Sequence, residues 1–370
     1  MKKILFLIHD LGPGGAEKVL VNLVNNLDPA LFDITVQVLF AGGVNEQFLK
    51  PHIHFKSVFR HPFPGNSRVM TLFSPELLHR WFIKETYDIE VSYLEGPAAR
   101  VISGCRDRAV KLVSWIHVEQ HTRQVAAKAF RNYAESARCY QRFHQTVCVS
   151  TYVKQDFMTV YPEVSPVSVL YNTNETDQIL LKKEESVENG LFQPQEIKLC
   201  GVGKLMPSKG FDRIARIHRS LRNDGYPVHT YILGDGPERA ALEAYVQENQ
   251  LADSYTFLGY QTNPYKYVAR CDLFVCASTA EGFSTAATEA LVVGTPVCTV
   301  DVSGMKEMLG EDNEWGIVTE NSEEALYQGI KSLLDHPARL AHYKERAAAR
   351  GKAFSTEETV NAVEAMLLNV

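Results

Sequence analysis

The sequence predicts two doubly wound α/β domains, each a parallel sheet with helices on both faces. Three observations carry this reading. The chain has 370 residues, and at roughly 100–200 residues per domain that fits two domains better than one. Short apolar runs alternate with longer amphipathic stretches. The alternation occurs twice, with a polar interruption between the two series.

In the first series, residues 4–8, 34–40, 89–93, 112–116 and 146–149 read as strands. Between the first two, residues 16–27 carry Val19, Leu20, Leu23, Val24 and Leu27 at helical spacing. Strand, helix, strand in that order means parallel units with right-handed crossovers. Residues 172–194 are polar, rich in Glu and Lys and poor in apolar side chains, and read as a connection between domains. The second series has strands at 198–202, 229–233, 255–257, 273–276 and 297–299, with helices at 237–248 and 285–293 among them. Ligands of such folds sit at the carboxyl ends of the strands, so two domains facing a cleft is the expected arrangement.

Composition narrows the function. Apolar residues make up 45% and charged residues 22%, ordinary values for a globular protein. A net charge of −6 argues against nucleic acid as the main partner, because phosphate backbones need a basic footprint. The seven cysteines are odd in number, form no C-x-x-C pair, and several lie in apolar runs, as Cys276 does; buried reduced thiols are expected. The opening MKKILFLIHD has an apolar run too short for a secretory signal, ended by His9 and Asp10, and reads as a buried strand. No run of about 18 apolar residues predicts a membrane span.

Several strand ends carry glycines. Gly12-Pro13-Gly14-Gly15 precedes a helix directly. It reads either as a close backbone approach to an anion at a helix N-terminus or as a tight turn. Gly201-Val202-Gly203-Lys204-Leu205 lacks the third glycine of a dinucleotide fingerprint, with Met206 in its place, and lacks the spacing of a P-loop. Lys204 and Lys209 at that strand's end suit a diphosphate; the alternative is a pair of solvated lysines. Gly234-Asp235-Gly236-Pro237-Glu238 has the marks of a helix start, with proline at the first position.

The most informative stretch runs from Glu281 to Glu289, followed by Ala290-Leu291 and Gly294-Thr295-Pro296-Val297. Small residues at Ser284, Thr285, Ala286 and Ala287 leave room at a helix N-terminus for a phosphate. The glutamates could accept hydrogen bonds from sugar hydroxyls. The alternative makes Glu281 a partner of the helix dipole and Glu289 a solvated helix residue.

This pattern of two glutamates, with seven residues between, resembles the signature of family 4 glycosyltransferases, retaining enzymes of the GT-B fold. The resemblance extends over almost the whole chain: Gly14-Gly15-Ala16-Glu17, Gly203-Lys204-Leu205 with Lys209-Gly210, Gly234-Asp235-Gly236 and Phe257-Leu258-Gly259 occur in the family's order. It implies an N-terminal acceptor-binding Rossmann-like domain at 1–171, a linker at 172–195, a nucleotide-sugar domain at 196–352, and a C-terminal helix at 353–370 returning to the first domain. Glu281 would contact the donor sugar and Glu289 the ribose. Lys204 and Lys209 would hold the diphosphate, helped by N–H groups near Ser284 and Thr285, with Leu258 near the base. Gly14 and Gly15 belong to the N-terminal glycine loop, and His117 would lie beside the donor sugar. Two positions depart from the family. Lys204 stands where arginine is usual, keeping the charge but losing the bidentate fork. Residues 284–288 replace a more apolar, proline-containing loop.

No two aspartates lie two apart, so the Asp-x-Asp of metal-dependent transferases is missing and lysines with a helix dipole would replace a metal. The expected protein is a hexosyltransferase that needs no metal or cofactor. It would use a nucleotide sugar, UDP-sugar foremost, and a glycan or lipid-linked acceptor of cell-envelope or capsular polysaccharide assembly. Residues 123–143 read as one long helix with Arg123, Lys128, Arg131, Arg138 and Arg142 on one side and only Glu135 opposing them. That face is either simply solvated or meets anionic lipid from the cytoplasmic side. The competing readings are a nucleotide-sugar epimerase or hydrolase on the same fold, and a non-enzymatic nucleotide-sugar receptor.

Overall fold

The apolar runs become strands of two parallel sheets in a computed structural model that describes residues 1–63 and 65–370. The chain forms two units, Met1–Thr173 with Glu357–Val370, and Asn174–Thr356.

The first unit holds β1 (Lys2–Ile8), β2 (Phe32–Phe40), β3 (His54–Phe59), β4 (Ile89–Ser92), β5 (Lys111–Ile116), β6 (Gln145–Cys148) and β7 (Val167–Val169). Their order is β3-β2-β1-β4-β5-β6-β7. Ile4 through Ile8 are fully buried, because helices cover both faces of a parallel sheet and a central strand must then be apolar throughout. The edge strands β3 and β7 carry no continuous apolar run, which is why periodicity did not mark them. The helix Thr356–Asn369 closes on this unit through its last residues: the Lys2 ammonium donates to the Leu367 and Leu368 carbonyls, each at 3.0 Å, and Glu364 accepts from the Asp28 N–H at 2.7 Å.

The second unit holds β8 (Ile197–Val202), β9 (Val228–Leu233), β10 (Tyr255–Gly259), β11 (Leu273–Cys276), β12 (Val297–Val300) and β13 (Ile317–Thr319), in the order β10-β9-β8-β11-β12-β13. Both units thus show the doubly wound order. It reverses between β1 and β4 in one unit and between β8 and β11 in the other. At such a switch point neighbouring loops leave in opposite directions and open a crevice at the strands' carboxyl ends.

Three expectations need correction. Residues 123–143 are not one helix. They form Arg123–Ala126 and Tyr133–Tyr140, because the Asn132 side chain accepts from the Glu135 N–H at 2.9 Å and starts a new helix midway. The helix expected at 237–248 begins at Arg239, since the Glu238 N–H is held by the Leu205 carbonyl at 3.1 Å. Residues 172–195 carry the helix Thr176–Lys182, and Ile179 is buried in the second unit. That segment is also hydrogen-bonded to its unit: Asn263 donates to the Lys182 carbonyl at 2.9 Å and Tyr231 to the Leu191 carbonyl at 2.9 Å. All seven cysteines are buried and unpaired.

Candidate active site

The carboxyl ends of β8 and β11 carry most of the predicted residues of the second unit. Gly234, with φ of +140°, follows β9; a Cβ there would meet the Gly203 carbonyl oxygen at 1.9 Å, so only glycine lets the two strand ends touch. The Leu205 N–H donates to Asp235 at 3.0 Å, and the Gly234 N–H to Gly259 at 2.8 Å. These bonds lock the loops after β8, β9 and β10 into one layer. Lys204 projects from it into solvent, with no ion-pair partner among the described residues. Leu258, at the end of β10, is half-buried, and its carbonyl accepts from Gln261 at 2.7 Å.

Lys209 lies on the one-turn helix Pro207–Lys209, which is pressed against the end of β11. Gly210, with φ of +64°, makes this approach, since a Cβ there would lie 2.1 Å from the Ala277 carbonyl oxygen. The Thr279 N–H donates to the Ser208 carbonyl at 2.8 Å. The result is a short ion pair: the Lys209 ammonium sits 2.6 Å from the Glu281 carboxylate, which also accepts from the Ser278 hydroxyl at 2.6 Å. Glu281 precedes the helix Thr285–Val293, whose N-cap is Ser284; its hydroxyl accepts from the Ala287 N–H at 3.4 Å. The N–H groups of Thr285 and Ala286, at the start of this helix, have no acceptor inside the helix and suit an anion. Glu289 is buried, not solvated, and accepts from the Tyr265 hydroxyl at 3.2 Å.

Gly14, Gly15 and His117 belong to the first unit. Gly14 is the N-cap of the helix Gly15–Asn26, and Glu17 folds back over it: a Cβ on Gly14 would lie 2.0 Å from a Glu17 oxygen. His117 follows β5. Its ring packs on Tyr93 with centroids 4.9 Å apart, and its N–H donates to Glu95 at 3.0 Å. Burial pushes the imidazole down to about 3, against a hydrogen bond to the Tyr93 backbone, so the ring is neutral at physiological pH. Its Nε2 is buried with no hydrogen-bond partner among the described residues.

Two family models match this chain in succession. Residues 13–178 match Glycosyltransferase Family 4, and residues 182–350 match Glycosyl transferases group 1. The chain belongs to family 4 of the glycosyltransferases, with the GT-B fold. It is 19% identical to Anabaena HepE, solved in complex with UDP and glucose, with a TM-score of 0.77 over 100% of both chains. It is 33% identical over 188 residues, 50% of this chain and 49% of the relative, to the N-acetylgalactosamine-N,N'-diacetylbacillosaminyl-diphospho-undecaprenol 4-alpha-N-acetylgalactosaminyltransferase of Campylobacter jejuni. It is 24% identical, over 65% of this chain and 62% of the relative, to the GDP-mannose-dependent alpha-(1-6)-phosphatidylinositol dimannoside mannosyltransferase of Mycobacterium tuberculosis. The matches span about half the length, or less, of the first curated relatives, from 49% down to 36%.

The sequence alone did not reveal the residues that hold the predicted ones. Ser278 and Tyr265 orient the two glutamates, and neither has a motif of its own. Glu95 was also missed. Its signal was its place just after a strand, ahead of Gly96-Pro97 and a helix start.

Proposed function

We propose that this chain is a retaining, metal-independent glycosyltransferase. It moves a hexose-type sugar from a UDP-sugar to a lipid-linked or glycan acceptor in cell-envelope or capsular polysaccharide assembly, at the cytoplasmic membrane face. The observation that carries the reading is the Lys209–Glu281 pair beside the N-terminus of the helix Thr285–Val293, at the switch point of the second sheet. An ammonium and a helix terminus offer positive charge to a diphosphate, and a carboxylate next to them offers acceptors to sugar hydroxyls. When the donor binds, the Lys209 ammonium is shared between Glu281 and the phosphate oxygens. The bond from the anomeric carbon to the phosphate oxygen breaks, the acceptor oxygen bonds to the same face of that carbon, and the acceptor's proton passes to the departing diphosphate. Lys204, exposed on the same loop layer, is the second cation for the leaving group.

UDP is favoured over GDP by the complexes of HepE with UDP and with UDP-glucose, and the mannosyltransferase named above makes GDP the rival. A thermal-shift screen with UDP-, GDP- and ADP-sugars decides between them, since a ligand that binds the folded state raises its stability by RT ln(1 + [L]/Kd). UDP-sugars should give the largest shift, and turnover should persist in EDTA. Activity lost in EDTA and restored by Mg²⁺ or Mn²⁺ would overturn metal independence. Binding without turnover would leave a receptor, and turnover unaffected by any acceptor a hydrolase or epimerase.

A further inference from the structure

Glu90 breaks the pattern of the first sheet. It lies on β4, a central strand, and pairs with Leu5 of β1 on one side and Leu112 of β5 on the other. Such strands are apolar throughout, yet this carboxylate is only 2% exposed. A buried charge is costly unless other groups compensate it. One neighbour is His79, on the helix Pro75–Phe82, whose Nε2 lies 2.8 Å from the carboxylate. The other is Cys105, which Gly104 brings into place. A Cβ on Gly104 would lie 2.0 Å from the Pro75 carbonyl oxygen, so only glycine lets the segment after the helix Pro97–Ile102 press against the start of the helix Pro75–Phe82.

One ligand atom from each of His79, Glu90 and Cys105 therefore falls within 4.8 Å of the other two. Ligands roughly 2.0–2.3 Å from a tetrahedral zinc ion stand about 3.3–3.5 Å from one another. That spacing lies between the 2.8 Å contact of His79 with Glu90 and the 4.8 Å outer limit. All three residues line one cavity of about 530 Å³, with Ser74, Glu76 and Asp107 also on its wall. The cavity gives an ion a way in and gives a water room as fourth ligand. The donor set selects the ion. Mg²⁺ and Ca²⁺ take oxygen ligands and have no use for a thiolate. Copper(I) prefers soft sulfur and leaves a carboxylate unused. One sulfur, one imidazole nitrogen and one carboxylate oxygen suit Zn²⁺. No metal-binding spacing along the chain marks these residues; packing alone assembles them.

We propose that His79, Glu90 and Cys105 form a zinc site, with water in the fourth position. The proposal goes beyond the transferase reading and does not rest on it. The ion ties the helix Pro75–Phe82 and the Cys105 segment to the first half of β4, whereas His117 lies past the carboxyl end of β5. Its role is thus structural, and it leaves the metal independence of transfer untouched. The alternative is an ion pair between His79 and Glu90 beside an inert thiol. A second cluster, Glu119, His121 and Asp156, has comparable spacing, but His121 is exposed and Asp156 already accepts from the Gln120 and His121 N–H groups. It serves as the control.

The full chain is stripped with EDTA, dialysed under reducing conditions, and titrated with Zn²⁺ and separately with Co²⁺. The parent should bind one equivalent of zinc in competition with a chromophoric chelator, and its Tm should rise. Cobalt should give tetrahedral d–d bands and a sulfur-to-cobalt charge-transfer band, which requires a thiolate ligand. Losing even an outer-shell partner of a metal ligand costs roughly 10–100-fold in affinity. Cys105→Ser and His79→Gln should therefore weaken zinc binding by about 100-fold or more, and Glu90→Gln by about tenfold or more. Cys105→Ser should also abolish the charge-transfer band, while His121→Gln should change neither readout. A parent chain that takes up no zinc, or whose cobalt spectrum lacks the charge-transfer band, overturns the proposal whether or not any variant folds. A band that survives in Cys105→Ser overturns it too, as does zinc binding that is lost in His121→Gln and kept in Cys105→Ser. None of these readouts needs a nucleotide sugar, so this proposal and the transferase reading fail separately.

Discussion

Glu281 and Glu289 sit eight positions apart in sequence but in different surroundings. Glu281 shares its charge with Lys209 and Ser278 at the mouth of a loop, whereas Glu289 is buried inside a helix against Tyr265. Their assigned roles should therefore separate. The ribose belongs to free nucleoside diphosphate as well as to the full donor; the sugar belongs only to the donor. Hydrogen bonds to a charged group are worth roughly 1.5–3 kcal/mol, and 1.4 kcal/mol is about tenfold in affinity. Glu289→Gln should weaken UDP and UDP-sugar alike by about tenfold or more. Glu281→Gln should leave UDP affinity nearly unchanged and lower kcat/KM. Calorimetry with both ligands, beside steady-state kinetics, checks this; equal losses of UDP affinity in the two variants would reverse the assignment.

At the scale of elements, the break in residues 123–143 changes what the basic residues do. Arg142 donates to the Cys105 carbonyl at 2.5 Å, and the Arg123 guanidinium lies 4.7 Å from the Tyr133 ring centroid. Glu135, expected among the basic side chains, is buried in an ion pair with Arg100 at 3.0 Å. Arg100 donates to the Met70 and Phe73 carbonyls at 2.7 and 2.6 Å, and Arg131 to the Thr71 and Leu72 carbonyls at 2.8 and 3.0 Å. Two arginines thus satisfy four successive carbonyls at the end of the helix Asn66–Thr71. They fix a turn from which Leu72 projects 72% exposed, with Val69 and Trp81 also exposed and Phe73 packed edge-on against Trp81. Arg68, Arg80 and Arg138 of the same unit are exposed as well, and exposed apolar side chains together with basic ones are what the proposed contact with an anionic lipid surface would use. Leu72→Glu and Arg138→Glu should each weaken binding to phosphatidylserine-containing vesicles without lowering Tm, because both side chains are exposed. Arg131→Glu should lower Tm as well, since it removes the clasp. Unchanged vesicle sedimentation of both Leu72→Glu and Arg138→Glu would remove the membrane from the reading.

For the whole molecule, buried histidines make stability depend on pH in opposite senses. Burial disfavours the charge on His79, but hydrogen bonds to Cys105 and Glu90 outweigh it and push the imidazole up to about 9. A group raised above its unfolded value of about 6.5 contributes fully below that pH and loses its contribution as pH rises through about 9. The contribution is roughly 3 kcal/mol. His79→Gln should therefore be clearly less stable than the parent at pH 6, and the gap should narrow by pH 9.5. His117, held at about 3, acts the other way: its contribution is present above about 6.5 and is lost as pH falls toward 3. Denaturant melts across that range test both signs; a gap for His79→Gln that stays constant from pH 6 to 9.5 would mean that His79 is neutral in the fold.

What the sequence determined by itself was what repeats or what is local. Ten strands declared themselves as apolar runs because helices bury both faces of a parallel sheet, and the glutamates showed themselves by their spacing around a helix start. The edge strands β3, β7 and β13 did not, since half-exposed strands need no continuous apolar run. The helix break at Asn132 was hidden because apolar spacing persists across a cap. Tertiary structure alone decided the partners. Lys209 meets Glu281 from 72 residues away because Gly210 lets one loop touch the end of another strand. Arg100 meets Glu135 across 35 residues. Glu95 gains its place only when β4 pairs with β1 and β5. Charge and hydrogen bonding act over a few ångströms of space, and spacing along a chain reports such distances only within a single element.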